Sequence, residues 1–181
     1  LHAFEASSGK ELWAFIPPMV LPKLRNMISA KANSSTPIFG VDGSPIVRDL
    51  YYGGTWRTVL MTGLGRGGHG YFALDVTNPS APSFLFGFSN DPVNKTVFHW
   101  NSTGQRTEHF YTGALPPAAV DFSKLGEAWS TPRITLMPHS SGQKWVAVFG
   151  AGFNSGVNPN YGSAVYVLDL ENDGQILKRI D

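Results

Sequence analysis

The sequence carries one stretch with the glycine spacing of a dinucleotide-binding loop. In TGLGRGGHGYFALD, Gly63, Gly65 and Gly68 form the pattern G-x-G-x-x-G. In a dinucleotide-binding fold these glycines follow a strand and open a helix, and an acidic residue comes about 20 positions later. A strand pattern does precede the glycines, but Tyr71–Val76 reads as a second strand, and Asp75 comes too early. The stretch therefore predicts a wide turn between two strands, with nucleotide binding as the weaker alternative.

A second candidate site is the acidic turn DLENDG near the end of the chain. It places Asp169, Glu171 and Asp173 at the first, third and fifth positions of a calcium loop and Gly174 at the sixth. The second half of that loop is missing, because Ile180 stands where a bidentate Glu is required. Asn and Asp-Gly also supply the positive φ angles of a hairpin turn. The three acids are therefore candidate metal ligands, and a plain turn is the stronger interpretation.

No catalytic pattern accompanies these two candidates. No pair of histidines at i, i+4 encloses a carboxylate, as zinc enzymes require on a helix. The sequence has no G-x-S-x-G elbow and no cysteine. We therefore predict no catalytic residue and no cofactor within this segment, and we expect that it is not an enzyme. The histidines are His2, His69, His99, His109 and His139.

Composition limits the kinds of partner. The chain has 181 residues, of which 42% are hydrophobic and only 15% charged, which is a globular composition. The net charge is +1 and no run of Lys or Arg exceeds two, so no nucleic-acid surface is predicted. No apolar stretch is long enough to span a membrane. Because the sequence opens on a strand-like pattern at Leu1, we expect it to be a piece of a longer protein.

The elements that must position these residues form a tandem repeat. Each of two long units has a proline-containing segment, a strand that begins with Trp, a glycine loop, a third strand and a last strand. The start of the chain, Leu1–Phe15, matches the last two strands of such a unit, and the second copy does not keep the G-x-G-x-x-G spacing. The matched segments are Ser44–Leu50 with Ser130–Leu136, Trp56–Met61 with Trp145–Phe149, Gly63–Gly68 with Gly150–Gly156, Tyr71–Val76 with Tyr166–Leu170, and Phe84–Phe88 with Gln175–Ile180.

Repeats of four antiparallel strands are typical of β-propeller blades. We predict an all-β segment of about two and a half blades, completed by absent sequence or by another chain. It includes one short helix that begins near Pro22, with Leu21, Leu24 and Ile28 on one apolar face. Three tryptophans, Trp13, Trp56 and Trp145, are expected to brace the blades. The predicted parts are a half blade at 1–15, a helical connector at 17–31, a blade at 41–89, an insertion at 90–127 and a blade at 128–181.

At this point the residues suggest a family. VDGSP at Val41, TWRTVL at Thr55 and above all GLGRGGHGYFALDVTNP from Gly63 to Pro79 resemble the propeller of the PilC/PilY family of type IV pilus tip proteins. The resemblance implies an exported protein at the pilus tip or the outer membrane. It also implies roles in pilus assembly, in countering retraction and in adhesion. That family often has an Asp-rich calcium loop in a later blade, so calcium is an expectation for the full-length protein and is not transferred to any residue here.

The predicted function is therefore that of a non-catalytic module of a pilus biogenesis and tip adhesin protein. Expected partners are pilins or other tip proteins, and a host or abiotic surface. The insertion is the predicted contact surface, because long loops on a rigid scaffold tend to carry recognition. Two alternatives are a quinoprotein-like, PQQ-type dehydrogenase propeller, suggested by GKELW at Gly9, and a scaffold propeller of outer-membrane assembly.

Overall fold

The chain folds into antiparallel sheets joined by a short helical connector. The computed structural model describes residues 1–29, 37–140, 142–154, 156 and 160–181. Within them the strands form sheets of two, six and four strands, so the all-β prediction is confirmed. The strands are β1 His2–Phe4, β2 Glu11–Ala14, β3 Ile46–Tyr52, β4 Thr55–Gly63, β5 Gly70–Asp75, β6 Ser83–Asp91, β7 Thr96–Trp100, β8 Arg106–Phe110, β9 Arg133–His139, β10 Gly142–Gly150, β11 Val165–Asp169 and β12 Gln175–Ile180.

The three sheets repeat one irregularity. In each sheet the third strand of the unit pairs with the last strand through a register shift of the β-bulge type. A bulge adds one residue to one strand and bends it, and bulges recur at the same place in related units. The two-stranded sheet therefore corresponds to β5 and β6 of the six-stranded sheet and to β11 and β12 of the four-stranded sheet, as the repeat predicts. The shifts fall between Ala3 and Phe4, between Ala73 and Leu74, and between Val167 and Leu168.

The strand register corrects one alignment of the repeat. The third strand of each unit ends in an aspartate, which pairs with Val59 in one sheet and with Val146 in the other. The residue before each valine is Thr58 or Trp145, so Thr58, and not Trp56, is equivalent to Trp145. The sequence comparison matched the two tryptophans by residue type. The correct offset differs by two positions, which keeps every side chain on its own face of the sheet.

Two of the three predicted bracing tryptophans do join neighbouring sheets. The indole Nε1 of Trp13 donates to the Pro79 carbonyl at 2.8 Å, and that of Trp145 donates to the Tyr51 carbonyl at 3.0 Å. Trp56 is 64% exposed and its ring lies 5.4 Å from that of Tyr51 in its own sheet. The prediction is therefore wrong for Trp56, which braces no neighbouring sheet among the residues that the structure describes.

The helix of the connector begins earlier than the predicted start near Pro22. A 3₁₀ helix occupies Pro18–Lys23 and continues as an α-helix, α1, over Leu24–Ser29. Pro22 lies inside the 3₁₀ helix and does not open the α-helix. The last two residues of the predicted connector, 30 and 31, lie outside the described residues.

The predicted apolar face of the connector is only partly used. Leu24 packs against the core, but Leu21 is 52% exposed and Ile28 is 84% exposed. Val20 is the residue that the 3₁₀ helix buries, at 3% exposure, against Leu64 and its neighbours. Leu21 lies in the 3₁₀ helix and Ile28 is the next-to-last residue of α1, so the three positions do not belong to one continuous α-helix.

The segment after β6 enlarges the middle sheet. Two further strands pair in order beyond β6, so that the sheet runs β3-β4-β5-β6-β7-β8. The chain then passes through residues 111–127, which we call the crossing segment, to reach β9 in the four-stranded sheet. Within it a 3₁₀ turn at Ala118–Val120 lies against β12.

An aromatic core joins the six-stranded and four-stranded sheets across the crossing segment. The ring of Phe122 stacks on Phe88 with 3.8 Å between centroids and lies 5.4 Å from Tyr166. On the same layer Tyr71 and Phe149 lie 4.4 Å apart. All five rings are almost completely buried. Aromatic pairs at such distances contribute more than their buried area alone.

Polar contacts fix the crossing segment to both sheets. On the six-stranded side, the buried Asn90 amide donates to the carbonyls of Ser123 at 3.2 Å and Leu125 at 2.9 Å. On the four-stranded side, Arg179 forms an ion pair with the buried Asp121 carboxylate. These contacts satisfy groups that would otherwise be desolvated without partners.

Candidate binding cleft

The glycine-rich stretch is a tight structural corner between β4 and β5. Its amides bond within the fold: Gly65 N to the Ala128 carbonyl at 3.2 Å and Gly67 N to the Leu64 carbonyl at 2.8 Å. Gly65 has φ 56°, and a Cβ on Gly67 would overlap the Gly40 carbonyl oxygen. No helix follows, because β5 begins at Gly70. The turn interpretation is confirmed, and the amides of Leu64, Gly65, Gly67 and Gly68 bond to carbonyls of the fold.

The three candidate calcium ligands each have a protein partner. Asp169, which is 2% exposed, forms an ion pair with Lys144, and Glu171 accepts from the Trp145 amide at 2.9 Å. Among the described residues, no group of three or more His, Asp or Glu is arranged to hold a metal ion. The turn is closed by a bond from Gly174 N to the Asp169 carbonyl at 3.0 Å. Calcium at this turn stays a prediction.

The third acid of that turn connects it to the inserted strands. The Asp173 carboxylate accepts from the Ser102 amide at 3.0 Å. The backbone carbonyl oxygen of Asp173 lies 2.7 Å from His99 Nε2. His99 lies on β7 and is 7% exposed. Burial lowers the pKa of His99, so the neutral ring that donates through Nε2 is the form the fold favours.

This buried histidine predicts a loss of stability in acid. Because the pKa of His99 is lower in the folded than in the unfolded chain, its contribution is complete above about pH 6.5 and is lost as pH falls below that value. His99→Gln, which keeps a donor near the Nε2 position, should reduce the drop in unfolding free energy between pH 7 and pH 5. Urea titrations at several pH values measure it. The exposed His2→Gln is the control, and an unchanged pH slope in His99→Gln would contradict the expectation.

A cation and aspartate pair recurs at equivalent places in two sheets. Arg57 Nη1 lies 3.1 Å from Asp75 Oδ2, and Lys144 forms the matching pair with Asp169. Burial raises the pKa of Asp75, but bonds from Thr77 and Arg57 outweigh it and hold that pKa below the ordinary value. When Trp56 is aligned with Trp145, these two ion pairs do not fall at equivalent positions. The corrected register aligns them, and their role is to fix the third strand to the second.

A concave site with mixed chemistry lies between the connector, the glycine corner and the inserted strands. We call it the cleft, and its volume is about 460 Å³. Its walls combine apolar side chains with a few polar groups, which is typical of binding sites. Its lining includes Met19, Lys23, His69, Asp91, Trp100 and Arg106.

Basic side chains line the cleft from different elements, Lys23 from the connector and Arg106 from β8. Lys23 Nζ donates to the Gly67 carbonyl, and burial lowers the pKa of Lys23. No carboxylate of the described residues lies within ion-pair distance of it. Burial also lowers the pKa of His69, although the carboxylate of Glu127 opposes that effect. The Arg106 guanidinium lies 5.2 Å from the centre of the Phe98 ring.

The single acid that lines the cleft is directed into its own turn. The Asp91 carboxylate accepts from the Val93 amide at 3.0 Å and from Asn94 Nδ2 at 2.7 Å. Burial raises the pKa of Asp91, but these bonds outweigh it and leave that pKa below the ordinary value. The cleft therefore combines apolar side chains with the basic residues Lys23, His69 and Arg106. Sequence reasoning predicted contacts on the insertion but missed Lys23 and His69, because only the fold brings them together.

Comparison with known proteins decides the family. A family model described as the PilY1 β-propeller domain matches residues 18–181. The chain belongs to the PilY1 β-propeller family. The predicted propeller fold and the resemblance to PilC/PilY proteins are thereby confirmed. The family match favours the pilus interpretation over the dehydrogenase and scaffold alternatives.

Individual relatives of the PilY1 family cover most or all of the chain. It is 31% identical over 183 residues to type IV pilus biogenesis factor PilY1 of Pseudomonas aeruginosa, covering 100% of this chain and 12% of that protein. A PilY1 homolog of Xylella fastidiosa is 33% identical over 156 residues, covering 86% of this chain and 10% of that protein. The chain thus spans about one eighth of the P. aeruginosa protein's length.

A solved structure shows the same fold. The crystal structure of the P. aeruginosa PilY1 C-terminal domain is similar with a TM-score of 0.61 at 27% identity, covering 99% of this chain and 28% of that one. Among the described residues, no helix has the length and apolar character needed to cross a bilayer.

Proposed function

We propose that this chain is a non-catalytic propeller module of a type IV pilus biogenesis and tip protein. It acts in pilus assembly, in countering retraction and in surface attachment. The observation that supports this proposal is the match of residues 18–181 to the PilY1 β-propeller domain. The module lies outside the cell, at the pilus tip or the outer membrane, and it contacts pilins or other tip proteins.

The proposed parts keep the boundaries that the repeat predicts. They are a half blade at 1–15, a connector at 17–31, blades at 41–89 and 128–181, and an insertion at 90–127 that provides the contact surface. In support, the insertion adds β7 and β8 to the open side of the middle sheet. Near the tip of this addition Val93 is 86% exposed and Phe110 is 64% exposed. Exposed apolar side chains on a rigid sheet suit a contact with another protein.

Deleting the whole insertion is a poor test of this surface. The deletion would remove Asn90, Phe122 and Leu125, which are buried in the core between the sheets. A loss of pili could then follow from unfolding alone. Substitutions on the cleft test the surface with less damage, since Arg106 has half of its side chain in solvent.

The proposal predicts a defect in pili when the cleft is altered. Deleting the gene should strongly reduce surface pili and attachment, and the full-length wild-type protein should restore both. The double variant Lys23→Met with Arg106→Gln should restore them only partly, at a normal exported level. Counts of sheared pili, an attachment assay and immunoblots measure this. Lys178→Met, on the exposed side of β12, is the matched control. Normal pili and attachment in the deletion strain would refute the proposal.

A further inference from the structure

The lining of the cleft suits an apolar side chain of a partner. Its volume is about 460 Å³, and Met19, Pro22, Leu64 and Trp100 form much of its apolar lining. Trp100 is 7% exposed, so its ring is held in place by the sheet and does not need ordering on binding. A pre-formed aromatic wall lowers the entropic cost of binding.

The charge of the cleft suits a carboxylate next to that side chain. Lys23 has a carbonyl as its acceptor and is partly desolvated, so its ammonium retains capacity for an acid. An ammonium carries three donors, and a charge-assisted hydrogen bond is stronger than a neutral one. Arg106 already pairs with Glu108 and can attract a second acid only at longer range. Asp91 offers little repulsion because Asn94 and Val93 hold its oxygens.

The strand next to the cleft is open on one side. β8 is the last strand of the six-stranded sheet, and Arg106 is its first residue. Within the described ranges no strand pairs with its outer side. An exposed strand edge can take up an extended peptide through main-chain hydrogen bonds, while pockets select its side chains.

From these three observations we infer that the cleft binds an extended acidic peptide segment of a partner protein. An apolar or aromatic side chain of the segment fills the pocket against Trp100, and an adjacent Asp or Glu side chain binds Lys23. The inference deepens the proposed function, on which it rests, by naming the chemistry that the partner must present at this surface.

The test uses the purified full-length protein and labelled hexapeptides with amidated ends. Gly-Ser-Phe-Asp-Asp-Gly should bind at least about tenfold more tightly than Gly-Ser-Phe-Asn-Asn-Gly or Gly-Ser-Ala-Asp-Asp-Gly, as measured by fluorescence anisotropy. Lys23→Met should weaken binding of the acidic peptide about tenfold and leave the Asn peptide unchanged. Lys23→Arg should retain most of the affinity, and Lys178→Met should have no effect. Thermal melting of each variant checks that it is folded.

Two results would overturn the inference. One is equal binding of the three peptides, and the other is no binding of the acidic aromatic peptide at millimolar concentration. If peptide binding fails but the cleft variants still reduce surface pili, the partner chemistry is wrong and the proposed function stands. If the acidic peptide binds as expected but the gene deletion leaves pili intact, the cleft assignment stands and the pilus proposal is wrong.

Discussion

Replacing Phe122 with alanine should lower the free energy of unfolding by about 3–5 kcal/mol. The side chain is completely buried, and its ring stacks on Phe88 at 3.8 Å and packs near Tyr166. Removing it loses the transfer free energy of the ring and leaves a cavity that the two sheets cannot close. Urea denaturation of the parent and the variant measures the difference.

A control from the same insertion separates burial from position. Phe110 is 64% exposed at the end of β8, so Phe110→Ala should change stability by less than about 0.5 kcal/mol. Equal losses of unfolding free energy from Phe110→Ala and Phe122→Ala would mean that neither half of the insertion is packed more tightly than the other. The expected difference would mean that its second half is part of the core, although the sequence presents it as an interruption of the repeat.

Replacing Arg179 with methionine should also cost about 3–5 kcal/mol, because it leaves a buried carboxylate without its cation. Arg179 pairs with Asp121, whose side chain is 7% exposed, and also donates to the Asp121 carbonyl at 3.2 Å. Burial opposes the charge of Arg179, but its bonds to Asp121 and Asp181 raise the pKa of the guanidinium above its ordinary value. Methionine keeps most of the length of the side chain and removes only the charged head.

Lys178→Met, one residue away and exposed, controls for the loss of a positive charge. It should change stability by less than about 0.5 kcal/mol. The double variant Arg179→Met with Asp121→Asn should recover part of the loss, since an amide is far less costly to bury than a charge. If the double variant were less stable than Arg179→Met alone, the unpaired carboxylate would not be the cause of the loss.

The sequence was sufficient to predict the repeating architecture. Apolar runs separated by glycine and proline turns are local signals, and two complete copies reinforce each other. The glycine corner could be assigned correctly because a strand pattern follows it where a nucleotide fold would need a helix. The connector was less predictable, since proline allows both the 3₁₀ helix that forms and the α-helix that was expected.

The cleft could not be predicted in the same way. Lys23 and His69 are far apart in sequence, and neither has a neighbour that signals a site. They meet because the connector folds back over the corner, where Lys23 donates to the Gly67 carbonyl. The exposed Trp56 shows the related difficulty: residue type suggested an equivalent of Trp145, whereas the strand register decides which faces coincide.

The crossing segment has a mechanical consequence for the two sheets that it joins. Asn90 attaches it to one sheet, Arg179 attaches it to the other, and the Phe122 ring lies between them. A pulling force that separates the sheets must break these contacts at the same time, because the contacts bear the force in parallel. Resistance to force is set by the rate of unfolding rather than by equilibrium stability. The pair of blades should therefore yield to tension as one unit, at a higher force than sheets held by a single contact.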